Sequence, residues 1–315
     1  MTDAPGRRPQ KFQDPERTAD GQERAQVALR TLEMLWFNTG TACNLACVHC
    51  YIESSPRNDR LTFLSATEVA AYLDEVQAGG WPTRRIGFTG GEPFVNPQIV
   101  AMLANALGRG YGVLVLTNAM RPMVRHAPAL LRLRDEHGER LRLRVSVDHY
   151  TPERHEALRG PGSWPAALAG LRWLVASGLS VDVAGRTCWD EDEESLRRGF
   201  GELLAGLGVP VDAADPEQLV LFPEMRAEAE VPEVTTRCWN TLGMSPDQVM
   251  CASARMVVKR RGAPRPVVVA CTLVPYDARF ELGERLADAT RPVPLCHPYC
   301  AQFCVLGGGS CGAGR

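Results

Sequence analysis

Six short apolar runs, spaced by amphipathic stretches of helical length, constrain what this chain can fold into. Such alternation specifies βα units and a parallel sheet, because parallel neighbours need a crossover long enough to hold a helix. The runs are Leu32 to Asn38, Arg85 to Thr89, Val113 to Thr117, Leu141 to Val147, Val181 to Gly185 and Gln218 to Phe222. Between the first two, Thr67 to Ala78 reads as a helix opened by a capping box of Ser65 and Glu68, with Val69, Tyr72, Leu73 and Val76 on its inner face. Ile99 to Leu107, Met123 to Arg134, Trp164 to Ala176 and Ser195 to Leu207 supply further helices. Six units predict an α/β fold, a partial (β/α)6 TIM barrel rather than a closed eight-stranded one. In such a barrel the functional groups gather past the C-terminal ends of the strands.

The first run is followed at once by Cys43, Cys47 and Cys50, a CxxxCxxC triplet. Three thiolates at that spacing can ligate three irons of a [4Fe-4S] cluster and leave the fourth open to another ligand. A structural zinc site is the competing use, although zinc favours paired CxxC knuckles closed into a tetrahedron. The segment Met1 to Arg30 is polar and of mixed charge, lacks the apolar core of a signal peptide and reads as disordered. No later stretch is long enough to span a bilayer, so a cytoplasmic protein without a membrane partner is expected. In a reducing compartment the eleven cysteines argue for thiolate-metal ligation rather than disulfides. A formal net charge of -2 gives no general polyanion-binding surface and argues against nucleic acid.

After the second run comes Gly90-Gly91-Glu92-Pro93. A CxxxCxxC loop followed one βα unit later by this sequence resembles the radical S-adenosylmethionine (SAM) superfamily, with His49 where the family usually has an aromatic residue. The resemblance implies that Cys43, Cys47 and Cys50 hold a [4Fe-4S] cluster whose free iron chelates SAM. An electron from the cluster would then release a 5'-deoxyadenosyl radical. It further implies SAM contacts from Tyr51, Gly90, Gly91, Glu92 and Pro93, the glycines allowing close backbone approach and Glu92 facing the methionine ammonium. At later strand ends, Asn118, Ser146 and Asp148 match the family's ribose and carboxylate contacts, and Arg186 is placed to meet the SAM carboxylate. His126, His137, His149 and His155 show no ligand spacing and read as surface or loop residues.

Beyond the barrel, cysteines crowd again at Cys251, Cys271, Cys296, Cys300, Cys304 and Cys311. Two β-rich runs around Gly262-Ala263-Pro264 form a hairpin with Cys251 and Cys271 near its bases. This is similar to the SPASM and twitch extensions of radical SAM enzymes, in which a cysteine-flanked hairpin and later cysteines hold an auxiliary [4Fe-4S] cluster. The spacing departs from the usual SPASM pattern, and the ligand set taken from the resemblance is Cys251, Cys271, Cys300 and Cys304, with Cys311 as first substitute and Cys296 also in reach. Domains of 1–30 (disordered), 31–235 (barrel) and 236–315 (cluster module) follow. Cys188 and Cys238 are left over and are candidate hydrogen donors to a substrate radical. Lys259, Arg260, Arg261 and Arg265 make the hairpin basic, suited to an acidic partner or substrate or simply an exposed turn.

The expected function is reductive SAM cleavage and hydrogen abstraction from a substrate. Thirty polar residues cannot build the N-terminal leader-binding domain of peptide-modifying relatives, so a small molecule undergoing oxidation or epimerisation is expected ahead of a ribosomally made peptide. The electron would come from a reductase such as a flavodoxin or ferredoxin. A non-catalytic iron-sulfur electron carrier is the alternative from another class.

Overall fold

All six expected runs are parallel strands of one sheet in the computed structural model, which describes residues 10–307. Cys311 lies outside the described residues. A short strand β1 (Gln26–Val27) precedes the core strands β2 (Met34–Asn38), β3 (Arg85–Thr89), β4 (Gly112–Thr117), β5 (Leu141–Ser146), β6 (Ser180–Arg186) and β7 (Leu219–Phe222). Their outer faces are covered by α1 (Ala66–Ala78), α2 (Ile99–Gly108), α3 (Arg121–Val124), α4 (Ala127–His137), α5 (Pro152–Arg159), α6 (Ser163–Ala176) and α7 (Glu193–Gly206). The capping box forms as its sequence requires: Ser65 Oγ accepts the Glu68 N–H at 3.1 Å, and the Glu68 carboxylate accepts the Ser65 N–H at 2.8 Å. Val69, Tyr72, Leu73 and Val76 are buried against the sheet, each large apolar side chain contributing roughly 1.5–3 kcal/mol.

The sheet continues past the barrel. After α8 (Cys238–Leu242), strand β8 (Ala254–Val258) lies parallel to β2, and β9 (Val267–Val269) and β10 (Glu281–Gly283) add antiparallel strands, giving the order β10-β9-β8-β2-β3-β4-β5-β6-β7. The cysteine-flanked hairpin is therefore an extension of the barrel sheet. The sheet stays open, as expected of a partial barrel.

The segment read as disordered is corrected over its described part. Residues 12–27 pack onto the far end of the chain, with β1 antiparallel to β11 (Val293–Pro294). The cause is a buried ion pair that hydropathy does not register. Arg24 is 1% exposed and binds Glu233, and its guanidinium also donates to the carbonyls of Asp14 at 2.6 Å, Arg17 at 2.9 Å and Leu295 at 3.2 Å. Glu233 in turn accepts the Phe12 and Ala19 N–H groups, both at 2.6 Å.

Burial works to raise the Glu233 pKa, but hydrogen bonds from Ala19, Arg24 and Phe12 hold it below the ordinary glutamate range. A depressed carboxylate stabilises the fold above its unfolded pKa and loses that contribution as pH falls through its folded one. Replacing Glu233 by Ala leaves Arg24 buried and unpaired, and should cost about 3 kcal/mol at neutral pH. Urea unfolding at pH 7 and again near pH 4 measures this, and the difference between the two proteins should shrink at the lower pH.

Candidate functional site

The loop after β2 and the loop after β3 are held together backbone to backbone. Gly91 N–H donates to the Gly40 carbonyl at 2.9 Å and Glu92 N–H to the Ala42 carbonyl at 3.1 Å. Only glycine permits this approach: a Cβ on Gly90 would sit 2.4 Å from the Gly40 oxygen, and one on Gly91 would sit 2.3 Å from the Ala42 oxygen. Gly90 also has a φ of +139°, which side chains rarely adopt. On its other side the cysteine loop is tied to α5, where the Leu158 carbonyl accepts the Val48 N–H at 2.7 Å.

These contacts shape a cavity of about 190 Å³ at the C-terminal ends of the strands. Cys43, Cys47, Cys50, Tyr51, Gly90 and Gly91 line it together. Across from them stand Asn118, Ser146, Asp148 and Arg186, each just past its strand or at its end. Glu92 and Pro93, the rest of the Gly90-Gly91 motif, are not among the residues that line the cavity. The Glu92 carboxylate lies beneath it, 2% exposed, accepting Thr117 Oγ1–H at 2.9 Å, Asn118 N–H at 2.8 Å and Phe94 N–H at 3.2 Å. Burial pushes its pKa up to about 7 against those hydrogen bonds. Glu92 thus fastens the β4 loop to the β3 loop. Asn118 continues the chain of contacts, donating from Nδ2 to Asn44 Oδ1 at 2.9 Å.

Arg159 is a charged cavity residue that sequence reasoning missed. It ends α5, a helix too polar to show periodicity, and grips Asp148 in a two-pronged ion pair at 2.8 and 3.0 Å. A larger cavity of about 810 Å³ opens at the opposite ends of the strands. None of the described cysteines lines it, and its buried Asp182 is paired with Arg142 and Arg144.

Burial pushes the Cys43 thiol up to about 12 and also raises Cys47. Such thiols stay protonated until a positive metal centre compensates them. Among the described residues, no three His, Cys, Asp or Glu side chains converge as a single metal ion requires. A cluster suits the triplet better than zinc does, because each thiolate binds a different iron and need not meet the others at one point.

Cys251, Cys271, Cys300 and Cys304 surround a second, apolar cavity of about 20 Å³. Burial pushes Cys251 up to about 12 and raises Cys271 and Cys300. Cys300 and Cys304 share one turn of a π-helix (Cys300–Val305). Cys296 faces elsewhere, donating to the carbonyls of Phe12 at 3.1 Å and Asp14 at 3.3 Å. Leu273 lines both cysteine cavities, so one side chain stands between them.

Neither leftover cysteine lines the first cavity. Cys188 lies on the loop after β6, electrostatically close to Arg186, Glu224 and Asp148. Cys238 opens α8 and accepts the Thr235 N–H at 3.4 Å. The reading of His149 and His155 as surface residues is corrected, both being fully buried. His149 pairs with Glu191 at 2.8 Å, while the His155 ring packs edge-on against Trp164, its nitrogens without a hydrogen-bond partner among the described residues. The basic hairpin is neutralised within the chain: Lys259 meets Glu68, Arg260 meets Glu281, Arg261 meets Asp59 and Arg265 meets Glu284.

Known proteins resemble this chain in sequence and fold. The sequence model of the Radical SAM superfamily matches residues 37–196. The mycofactocin maturase MftC of Mycobacterium tuberculosis is 31% identical over 169 residues, covering 52% of this chain and 41% of the relative. The antilisterial bacteriocin subtilosin biosynthesis protein AlbA of Bacillus subtilis is 32% identical over 143 residues, 45% of this chain and 30% of the relative. The match thus spans less than half the length of either relative. Streptococcus suis SuiB bound to its precursor peptide SuiA superposes with a TM-score of 0.61 at 11% identity, over 84% of this chain and 66% of that one. With a CxxxCxxC loop seated against a Gly90-Gly91 turn at the mouth of a partial barrel, and a family match across half its length, this chain belongs to the radical SAM superfamily.

Proposed function

We propose that this chain cleaves SAM reductively in the cavity beside Cys43, Cys47 and Cys50 and abstracts hydrogen from a peptide substrate. The observation that carries the reading is the convergence of the triplet, the Gly90-Gly91 turn and the polar strand ends on one cavity. When bound, the cluster and SAM supply one-electron cleavage of the sulfonium and a 5'-deoxyadenosyl radical. Within the proposal the three cysteines hold the cluster, and the two glycines let the chain lie close to SAM. The Ser146 hydroxyl is available to the ribose. Arg186 has no ion-pair partner among the described residues, so its charge is available to the SAM carboxylate. Glu92 acts through Thr117 and Asn118, as a fastener of the two loops.

The peptide class rests on the similarity to maturases and to a fold seen with a precursor peptide. A small molecule undergoing oxidation or epimerisation is the second reading, favoured by the modest volume of the cavity. The division at 235/236 and an auxiliary [4Fe-4S] cluster on Cys251, Cys271, Cys300 and Cys304 belong to the same proposal. So do a flavodoxin- or ferredoxin-type electron donor and a cytoplasmic, reducing location suited to thiolate ligation. No helix among the described residues is long and apolar enough to cross a membrane.

Anaerobic reconstitution with iron and sulfide, then dithionite and SAM, should yield 5'-deoxyadenosine, and Cys47→Ala should abolish it. Mass spectrometry of peptides encoded beside the gene should show loss or rearrangement of hydrogen. Turnover of SAM with every such peptide unchanged would reject the peptide class. Gly91→Ala should keep the global fold but push the cysteine loop away from the β3 loop, so its iron content should drop while its circular dichroism stays that of the parent. Wild-type protein should bind about eight irons and the Cys271→Ala/Cys300→Ala variant about four; about four in both would remove the auxiliary cluster.

A further inference from the structure

The cysteine loop has two faces. Its inner face looks into the cavity, while Asn44, Ala46, Val48 and His49 are exposed on its outer face. Charge around that outer face is one-sided. From Met34 to Ile52 the chain carries no Lys, Arg, Asp or Glu, and from Pro93 to Arg134 it carries five arginines and no Asp or Glu. Arg109 and Arg134 are paired with Asp74 and Asp135, whereas Arg121, Arg125 and Arg132 have no ion-pair partner among the described residues. The four cations of the hairpin, by contrast, are all met within the chain. Arg121 and Arg125 are exposed and stand one turn apart on α3, a spacing at which like charges repel. A repelling pair open to solvent does nothing for the fold and attracts an approaching anion.

Helix α3 is fixed against the cysteine loop. Met120, which precedes the helix, accepts Asn44 Nδ2–H at its sulfur at 3.8 Å, and its own N–H donates to Asn118 Oδ1 at 3.1 Å. Asn118 in turn donates to Asn44 Oδ1 at 2.9 Å. Behind the helix start, a Cβ on Gly170 of α6 would sit 1.7 Å from the Ala119 carbonyl oxygen, so this corner has no room to shift. Beside the two arginines Val124 is 44% exposed, and on the loop Val48 is 49% exposed. Apolar contacts with a charged rim are the composition of a docking surface. At the other end of the loop Glu53 pairs with Arg60 at 3.0 Å and Glu224 with Arg226 at 2.9 Å, so these carboxylates are already met within the chain.

We propose that α3 and the outer face of the cysteine loop form the docking surface for the electron donor, and that this donor is an acidic redox protein whose carboxylates meet Arg121 and Arg125. One electron leaves the reduced donor, which is thereby oxidised, and enters the cluster site of the triplet; no atom is transferred. The inference rests on the radical SAM reading and adds where the donor sits. An acidic peptide would fit the same charges, but a peptide has to enter the cavity to react, and the patch lies on the side of the loop that faces away from it.

The test uses the reconstituted full chain, with a flavodoxin and a plant-type ferredoxin as probes. Calorimetry with the oxidised probes gives binding. The ratio of 5'-deoxyadenosine formed with reduced probe to that formed by the same protein with dithionite gives delivery of the electron. Arg121→Glu/Arg125→Glu should lower both binding and that ratio on the order of tenfold at low ionic strength, and the difference from the parent should shrink in roughly 0.5 M salt. The neutral Arg121→Gln/Arg125→Gln protein should fall between. Arg84→Glu/Arg85→Glu makes the same change of net charge where β3 begins, at the opposite ends of the strands, and should bind the probes as the parent does. Failure of the parent to bind either probe would overturn the proposal, and so would unchanged binding in Arg121→Glu/Arg125→Glu. Equal weakening in Arg84→Glu/Arg85→Glu would overturn it as a response to net charge alone. Loss of affinity for a peptide encoded beside the gene, with probe binding intact, would overturn it in favour of a peptide site. A parent protein that takes up no iron would instead reject the superfamily site, and probe binding measured on that same protein keeps the two failures apart.

Discussion

The closest packing in the site is backbone on backbone, where the Gly90-Gly91 turn lies on Gly40 to Ala42. Everything the cavity contains is hung from that contact. It fixes the distance between the first two strand ends, and through Glu92 it also fixes the third, since the buried carboxylate ties Thr117 and Asn118 into the same assembly. The remaining wall is set from the other side by α5, which holds the cysteine loop at Val48 and Asp148 at Arg159. The triplet is thus clamped between a neutral backbone ladder and a charged helix end.

Charge is kept inside the molecule with little left to chance. Arg24 with Glu233 and Arg144 with Asp182 are buried pairs, and Arg159 with Asp148 is largely so. Burying such ions is costly unless their remaining hydrogen-bonding capacity is met. Arg24 and Glu233 meet it with backbone groups from segments far apart in sequence, which makes them a fastener between the two ends of the described chain.

Much of this was legible in the sequence because apolar periodicity reports burial directly. β3 begins and ends where the pattern places it, and the Ser65/Glu68 capping box forms as written. Cys251, Cys271, Cys300 and Cys304, named together from the sequence, line one cavity. What stayed hidden depends on contacts between residues distant in sequence. Helix α5 buries only His155 and Leu158 and presents charge elsewhere, so neither it nor Arg159 announces itself. The N-terminal segment looks disordered because its anchor is a salt bridge. Cys296 looks like a ligand by spacing alone, yet its side chain turns to Phe12 and Asp14. Nor does any local pattern say that β8 will lie parallel to β2.

That last pairing gives the protein an order of assembly. Strand β2 meets β3 as soon as the first βα unit is made, but its other edge waits for β8, which the ribosome delivers only after all six βα units. Arg24 waits longer still, until Leu295 emerges. Until β8 is made, the edge of β2 that leads into the cysteine loop has no partner strand, so a chain ending before it would carry a bare sheet edge beside Cys43, Cys47 and Cys50.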